Sequence, residues 1–230
     1  MVQNLKTTGI ILRRTNYREA DRILTVLTPN DSQIAVIAKG VRRERSKLAG
    51  GIELFAECQL NLVKSSMNID GMWTLTGAQI IKFYDQIMTD YDRLQFGYEA
   101  IKKVADISNT VDSPELYKIL MQTMQVLNNL TVDLRLSKAW FYLRVARLMG
   151  SELNLMTDVR GMKLVEDARY DYSVSESAFS YNPNGQYDSS TIKLLRIMAV
   201  NNAELLARLS GLTDQTIAGV LYLSQIAAGK

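Results

Sequence analysis

The sequence has 230 residues, 47% apolar and 22% charged, with a net charge of +3. That is ordinary for a globular chain of one large or two small domains. There is no histidine and one cysteine, Cys58, which excludes serine–histidine and cysteine–histidine nucleophiles and an internal disulfide, and leaves no ordinary zinc ligand set. No stretch approaches the roughly 20 uninterrupted apolar residues of a membrane span. The opening "MVQNLKTTGIILRRTNY" lacks the pattern of a secretory leader, so with one cysteine the chain is expected in the cytoplasm.

The first eighty residues read as strands. "TTGIILRRTNY" is apolar and β-branched before it turns polar. "DRILTVLTP" alternates Ile23, Thr25 and Leu27 with Leu24, Val26 and Thr28, and residues 29–31 make a turn. "SQIAVIAKG" is a short apolar run. "IELFAECQLNLVKS" places Ile52, Leu54, Ala56, Cys58, Leu60 and Leu62 in period two, which predicts a long half-buried strand. "SSMNIDG" reads as a turn and "MWTLTGAQIIKFY" as a fifth strand. Five strands with a glycine-flanked loop between the third and fourth fit a small barrel, an OB-fold among other five-stranded barrels with the same periodicity.

Helical spacing takes over near residue 83. "YDRLQFGYEAIKKVADI" predicts a stripe of Leu94, Tyr98, Ile101 and Ala105. "DSPELYKILMQTMQVLNNL" opens on Ser113 as a cap with Pro114 at the first helical position. "DLRLSKAWFYLRVARLMG" spaces Leu136, Trp140, Leu143 and Arg147 by three or four and stops at Gly150. Residues 155–188 break the pattern, alternate, and carry "NPNG", which predicts a β-hairpin insertion. Helices resume with "SSTIKLLRIMAVNN", "AELLARLS" and "TDQTIAGVLYLSQIAAG". The expected organisation is α+β: a barrel domain over 1–82, then a mainly α-helical domain over 83–230 with a small hairpin.

Charge is unevenly placed. Residues 1–50 hold ten Lys and Arg against four acids, and residues 51–230 hold seventeen against twenty. The densest stretch is "KGVRRERSKLAGG", where Lys39, Arg42, Arg43, Arg45 and Lys47 stand against Glu44. Arg13, Arg14, Arg18 and Arg22 lie at the first strand-to-strand connection. Such a face suits a polyanion, and equally a solvated surface with no partner. Basic side chains on a loop meet phosphates without reading sequence. Of the barrel's aromatics, Phe55 and Trp73 sit in strand pattern and read as core, whereas Tyr17 is placed for stacking on a base. The densest carboxylates, Asp90 to Arg93 and Glu166 to Asp171, read as helix-start and hairpin charge, so no catalytic residue is expected. "WFYLRVARLMG", with Arg144 and Arg147 one turn apart, is a candidate groove for an acidic tail with an apolar end, and a core helix with snorkelling arginines reads as well.

Three ordered motifs within residues 7–63 resemble the RecO recombination-mediator family. They are a G-(I/V)-(I/V)-L opening at Gly9–Leu12, a Y-x-E-x-(D/S)-(R/K)-(I/L)-L segment at Tyr17–Leu24, and a K-G-x-R-(R/K)-x-x-S-(R/K)-L-x-G-x-L-(Q/E)-x-F segment at Lys39–Phe55. The likeness continues through "FYDQIMTDYDRLQFGYEAIKKVADI" to about residue 110, and beyond that rests on architecture. It implies an OB-fold ahead of a helical domain, and binding of single- and double-stranded DNA, for which the nine basic residues named above are the candidates. It further implies annealing of complementary strands and help in loading RecA onto DNA coated by single-strand-binding protein. The implied partners are RecR and the acidic C-terminal tail of single-strand-binding protein, with RecA engaged indirectly and the nucleoid as the site of action. The chain departs from the family pattern in one place. Many members carry a four-cysteine zinc site in the helical domain, and the matching stretch "LNLMTDVRGMKL" has Asp158 and Gly161 near the cysteine positions. No metal or other cofactor is therefore expected, and the hairpin must be held by packing and by its turn. The readings that compete are another OB-fold nucleic-acid binder, or a protein adaptor, without annealing activity.

Overall fold

The computed structural model describes residues 2–30, 33–65 and 71–229. The turns read at 29–31 and 65–71 fall partly outside these residues. The chain divides into two compact units, 1–128 and 129–230, so the change of texture at residue 83 is a change from strand to helix within the first unit.

The first unit is built on five strands: β1 (Val2–Tyr17), β2 (Asp21–Leu27), β3 (Ile34–Ala38), β4 (Ala56–Ser65) and β5 (Trp73–Phe83). They close in the order β1-β2-β3-β5-β4, with β1 pairing back onto β4 and all pairs antiparallel except β3 with β5. This is the closed five-stranded barrel that the periodicity predicts, and of the barrels it allows, the OB-fold that the resemblance implies. Its interior is filled by Ile11, Leu24, Val26, Val36, Cys58, Leu60, Leu62 and Leu75. Their alternation along each strand is what the two-residue side-chain period demands. Ile10 and Leu12, on the opposite face of β1 from Ile11, are buried too. That accounts for the unbroken apolar run "GIIL".

The period-two run beginning at Ile52 is only partly a strand. β4 starts at Ala56, because Phe55 takes a positive φ of 56° and turns the chain. Phe55 is buried. Its ring meets Tyr98 edge-on at 5.0 Å between centroids, and a Cβ built on Gly97 would lie 2.7 Å from it. Gly97 sits on α1 (Tyr91–Ile107), which buries Arg93, Phe96, Gly97, Ala100, Ile101, Val104 and Ile107. The helix face is thus turned by about one residue from the stripe read in the sequence. Ile101 stays inside, Leu94 and Ala105 are half-buried, and Tyr98 is exposed. The absence of a side chain at Gly97 draws that face toward Phe55. In α2 (Glu115–Leu127) the Ser113 hydroxyl accepts from Glu115 N at 3.2 Å, as a capping residue should. At the far end of α2 the buried Arg93 guanidinium donates to Leu127 O at 3.0 Å. Tyr117 ties α2 to the outside of the barrel by donating to Glu57 at 2.7 Å.

The second unit is organised around α3 (Leu134–Leu148), which is buried on nearly every side by α4 (Ser189–Val200) and α5 (Asp214–Ala227). Gly150 follows it with φ of 71° and ends it. "AELLARLS" forms a 3₁₀ segment, Ala203–Arg208.

The hairpin is β6 (Tyr170–Ser173) with β7 (Ala178–Tyr181). Its connection is residues 174–177. The "NPNG" turn, closed by Gly185 N on Asn182 O at 2.8 Å, instead follows β7 and returns the chain to pair Tyr187 with Tyr170. The hairpin holds together around the fully buried Phe179, whose ring meets Tyr170, Tyr172 and Tyr187 edge-on at centroid distances of 6.3, 5.1 and 6.3 Å. At the position of the first cysteine pair, Asp158 Oδ1 accepts from Arg160 N and Met162 N, both at 2.9 Å. That carboxylate is already committed to the backbone, and the lone thiol, Cys58, lies in the barrel core. The residues present do not fit a zinc ion.

Asp171 accepts from the Asn182 side chain at 2.6 Å and from Gln186 N at 3.0 Å. These bonds, the side-chain one foremost, hold its carboxyl below the usual range near 4. Because the folded pKa is depressed, the stabilisation is complete above that range and is lost as pH falls through the folded value. Acidification below about pH 4 is therefore expected to loosen the 182–187 turn. Proteolysis of this turn across pH checks it, and Asp171→Asn should flatten the dependence. A second expectation concerns Gly51, where an added Cβ would come 2.5 Å from the backbone of Ala78, whereas one on Gly50 meets nothing within 4 Å. Gly51→Ala should cost about 1–3 kcal/mol in urea unfolding, and Gly50→Ala less than about 0.5 kcal/mol.

Candidate nucleic-acid interface

Two connections leave the same end of the barrel: the β1–β2 turn at residues 18–20 and the β3–β4 loop at residues 39–55. The loop is a chain of turns ending in a 3₁₀ segment, Ala49–Gly51, and it is docked at both ends. Val41 is buried in the barrel core, and so is Ile52, with Leu48 and Ala49 packed against them. Between these apolar anchors Arg42, Arg43, Glu44, Arg45 and Lys47 are exposed, and so is Lys39. An apolar residue flanked by charges faces inward because its neighbours are better solvated outside.

The loop also binds the β1–β2 turn. Gly40 N donates to Asp21 Oδ1 at 2.7 Å, Arg42 N to Ala20 O at 2.9 Å, and Arg42 Nη1 to Glu19 O at 3.1 Å. Gly40 is in the left-handed region with φ of 63°, which a side chain would resist. Further along, Arg43 O accepts from Ser46 N at 3.0 Å. What the composition suggests is a flexible basic loop is in the structure a folded segment seated on its neighbour.

Of the nine predicted basic residues, those of the loop and the turn meet at one end of the barrel, and Arg13 lies further along β1, across from Thr25. Arg13 is exposed. Arg14 is half-buried and pairs with Glu53 at 2.8 Å, with Ile52 O as a second acceptor at 3.4 Å, so it ties β1 to the outgoing end of the loop. Arg18 has a positive φ of 50° and lays its guanidinium over the half-buried Tyr17 ring, 5.1 Å from the centroid. One face of Tyr17 is therefore already covered. Arg22 Nε donates to Asn16 at 3.2 Å. Glu19, Asp21, Glu44 and Glu53 share this end and dilute its charge.

Trp73, half-buried at the start of β5, packs against the barrel core with Lys64 over its ring at 5.6 Å. In the second unit Arg144 and Arg147 have different surroundings. Arg144 donates to Ala199 O at 2.8 Å and also to Asn201 O, at the C-terminal end of α4, and lies over Trp140 at 5.1 Å. Arg147 is exposed.

The site contains groups that composition alone does not mark. Val41 carries a weak signal, a lone β-branched residue inside a polar run. The pairing of Arg14 with Glu53, 39 residues apart, and of Asp21 with Gly40 depends on the barrel closing and leaves no trace in local pattern. Cys58 offers no chemistry here: burial pushes its thiol up to about 11, with Glu53 and Glu57 adding to the shift. Among the described residues no three of His, Cys, Asp and Glu gather as metal ligands, and no helix is long and apolar enough to cross a membrane.

Residues 1–84 match the family described as recombination protein O N terminal. The chain is similar to the DNA repair protein RecO of Dehalococcoides mccartyi strain 195, at 31% identity over 148 residues, or 64% of this chain and 56% of that relative. It is similar at 28% over 214 residues to the protein of the same name from strain CBDB1, covering 90% of this chain and 82% of the relative. The likeness to DNA repair protein RecO of Acetivibrio thermocellus, 33% over 103 residues, takes in 45% of this chain and 39% of that relative. Two of these three matches thus span less than two thirds of the relative's length.

Proposed function

Since the chain belongs to the RecO family, as a variant without the four-cysteine zinc site, we propose that it acts in DNA repair and homologous recombination as a binding protein and not as a catalyst. Residues 1–82 bind single- and double-stranded DNA without sequence specificity, and residues 83–230 supply the helical domain. The observation that carries this reading is the docking of the Lys39–Lys47 loop onto the β1–β2 turn. The cations of the loop thereby join those of the turn at one end of an OB-fold barrel, with Arg13 further along β1. Arg13, Arg18, Lys39, Arg42, Arg43, Arg45 and Lys47 contact phosphates, while Arg14 and Arg22 support them through Glu53 and Asn16. Tyr17 offers a base its uncovered face.

Annealing follows from the same surface. Phosphate charge on two complementary strands keeps them apart, and cations between them lower that repulsion while base pairing supplies the driving force. No acid, base or nucleophile is required. On coated DNA the protein assists RecA loading, with RecR and the C-terminal tail of single-strand-binding protein as partners and the nucleoid as its place of work. The exposed Arg147 is the cation best placed to meet such a tail, since Arg144 is engaged by α4.

The test is annealing of two complementary oligonucleotides coated with single-strand-binding protein, with and without this chain, across a salt series. Acceleration that fades with salt supports the mediator reading. Tight binding without acceleration leaves an OB-fold nucleic-acid binder without annealing activity, and absence of binding at moderate salt leaves a protein adaptor. Reversing Arg42→Glu and Arg43→Glu together should weaken duplex binding by about tenfold or more and lower the salt slope by about 2. An unchanged slope removes the loop from the interface.

A further inference from the structure

An acid at the middle of a phosphate-binding surface needs a reason to be there. Asp21 opens β2 directly across the turn from Tyr17, between Arg18 and Arg22, and its charge repels phosphate. Its Oδ1 lies 2.7 Å from Gly40 N, near the start of the basic loop. Around that bond the loop changes direction: Gly40 is left-handed, Val41 enters the core, and Arg42 N meets Ala20 O. The Arg43 side chain runs within 3.6 Å of the space a Gly40 Cβ would fill.

We propose that Asp21 is a positioning residue: its carboxylate fixes the start of the basic loop so that Arg42, Arg43 and Arg45 are set for phosphate before DNA arrives. This rests on the DNA-binding reading above. A hydrogen bond from a backbone N–H to an ionised carboxylate is among the stronger kinds, and ordering the loop in advance removes an entropic cost that binding would otherwise carry. The two roles of Asp21 oppose each other in sign. As a charge it lowers affinity, and as an acceptor it raises it.

That opposition makes the test decisive, because Asp21→Asn and Asp21→Ala carry the same net charge. Asparagine keeps an acceptor in place and alanine removes it. Asp21→Asn should bind a single-stranded oligonucleotide about two- to threefold more tightly than the parent, by relief of repulsion. Asp21→Ala should bind about three- to tenfold more weakly, with a flatter salt slope. Equal tightening in both variants overturns the proposal. A second readout needs no DNA. Trypsin should cut after Arg42, Arg43 and Arg45 about tenfold faster in Asp21→Ala than in the parent, and within about twofold of the parent rate in Asp21→Asn. Equal cutting in the two variants also overturns it. Should Asp21→Ala unfold globally, seen as cleavage throughout the chain, Asp21→Ser takes its place, its hydroxyl being too short to reach Gly40. If the parent protein binds no oligonucleotide, the functional reading falls, and the trypsin comparison still decides what Asp21 does.

Discussion

Burial of the Val41 side chain decides how this protein meets its surroundings. Without it, residues 39–47 would be a run of like charges with every reason to spread into solvent. With one isopropyl group inside the barrel, the backbone on either side is pinned within a few ångströms of the β1–β2 turn. The cations are then held at a spacing set by the barrel and no longer by their own repulsion. Fully burying a valine is worth about 1.5–3 kcal/mol. That is comparable to the mutual repulsion of several exposed charges screened by salt. The apolar core of the barrel and its cationic surface are thus one construction, in which the first positions the second.

Much of the fold is legible from residue order, and the reasons are physical. Alternation in "DRILTVL" and "AECQLNLV" reports a wall with one dry side, and Gly150 reports a helix that must stop. The places where reading fails share a cause. The period-two pattern of β4 runs back through Leu54 and Ile52, yet the strand begins at Ala56, because Phe55 turns the chain and lays its ring against α1. The face of α1 is displaced by one residue because Gly97, which contributes nothing to an apolar stripe, is what lets Phe55 approach. The "NPNG" signal is a real turn, used to leave the hairpin and not to make it. Each of these depends on a partner distant in sequence.

The candidate site divides along the same line. That the loop and the first connection are basic is plain from composition. That they meet, that Arg14 is spent on Glu53, and that Asp21 belongs to the loop as much as to β2 become visible only once the strands are paired. Arg144 is a further case. Its spacing with Arg147 is plain in the sequence, whereas its bonds to the carbonyl oxygens at the C-terminal end of α4 are not.

The zinc-free hairpin changes what this protein is sensitive to. A four-thiolate metal site is a chemical target: oxidants convert thiolates to disulfides or sulfenic acids, and chelators compete for the ion. Here the same part of the chain is held by tyrosines packed edge-on around Phe179, a carboxylate on backbone amides, and a turn. None of these is redox-active under ordinary conditions. The one sulfhydryl is enclosed by the barrel and kept protonated by its surroundings. The hairpin's integrity is therefore uncoupled from both metal supply and the oxidative state of the cell. A hairpin built this way keeps its shape under oxidants that would dismantle a four-thiolate site.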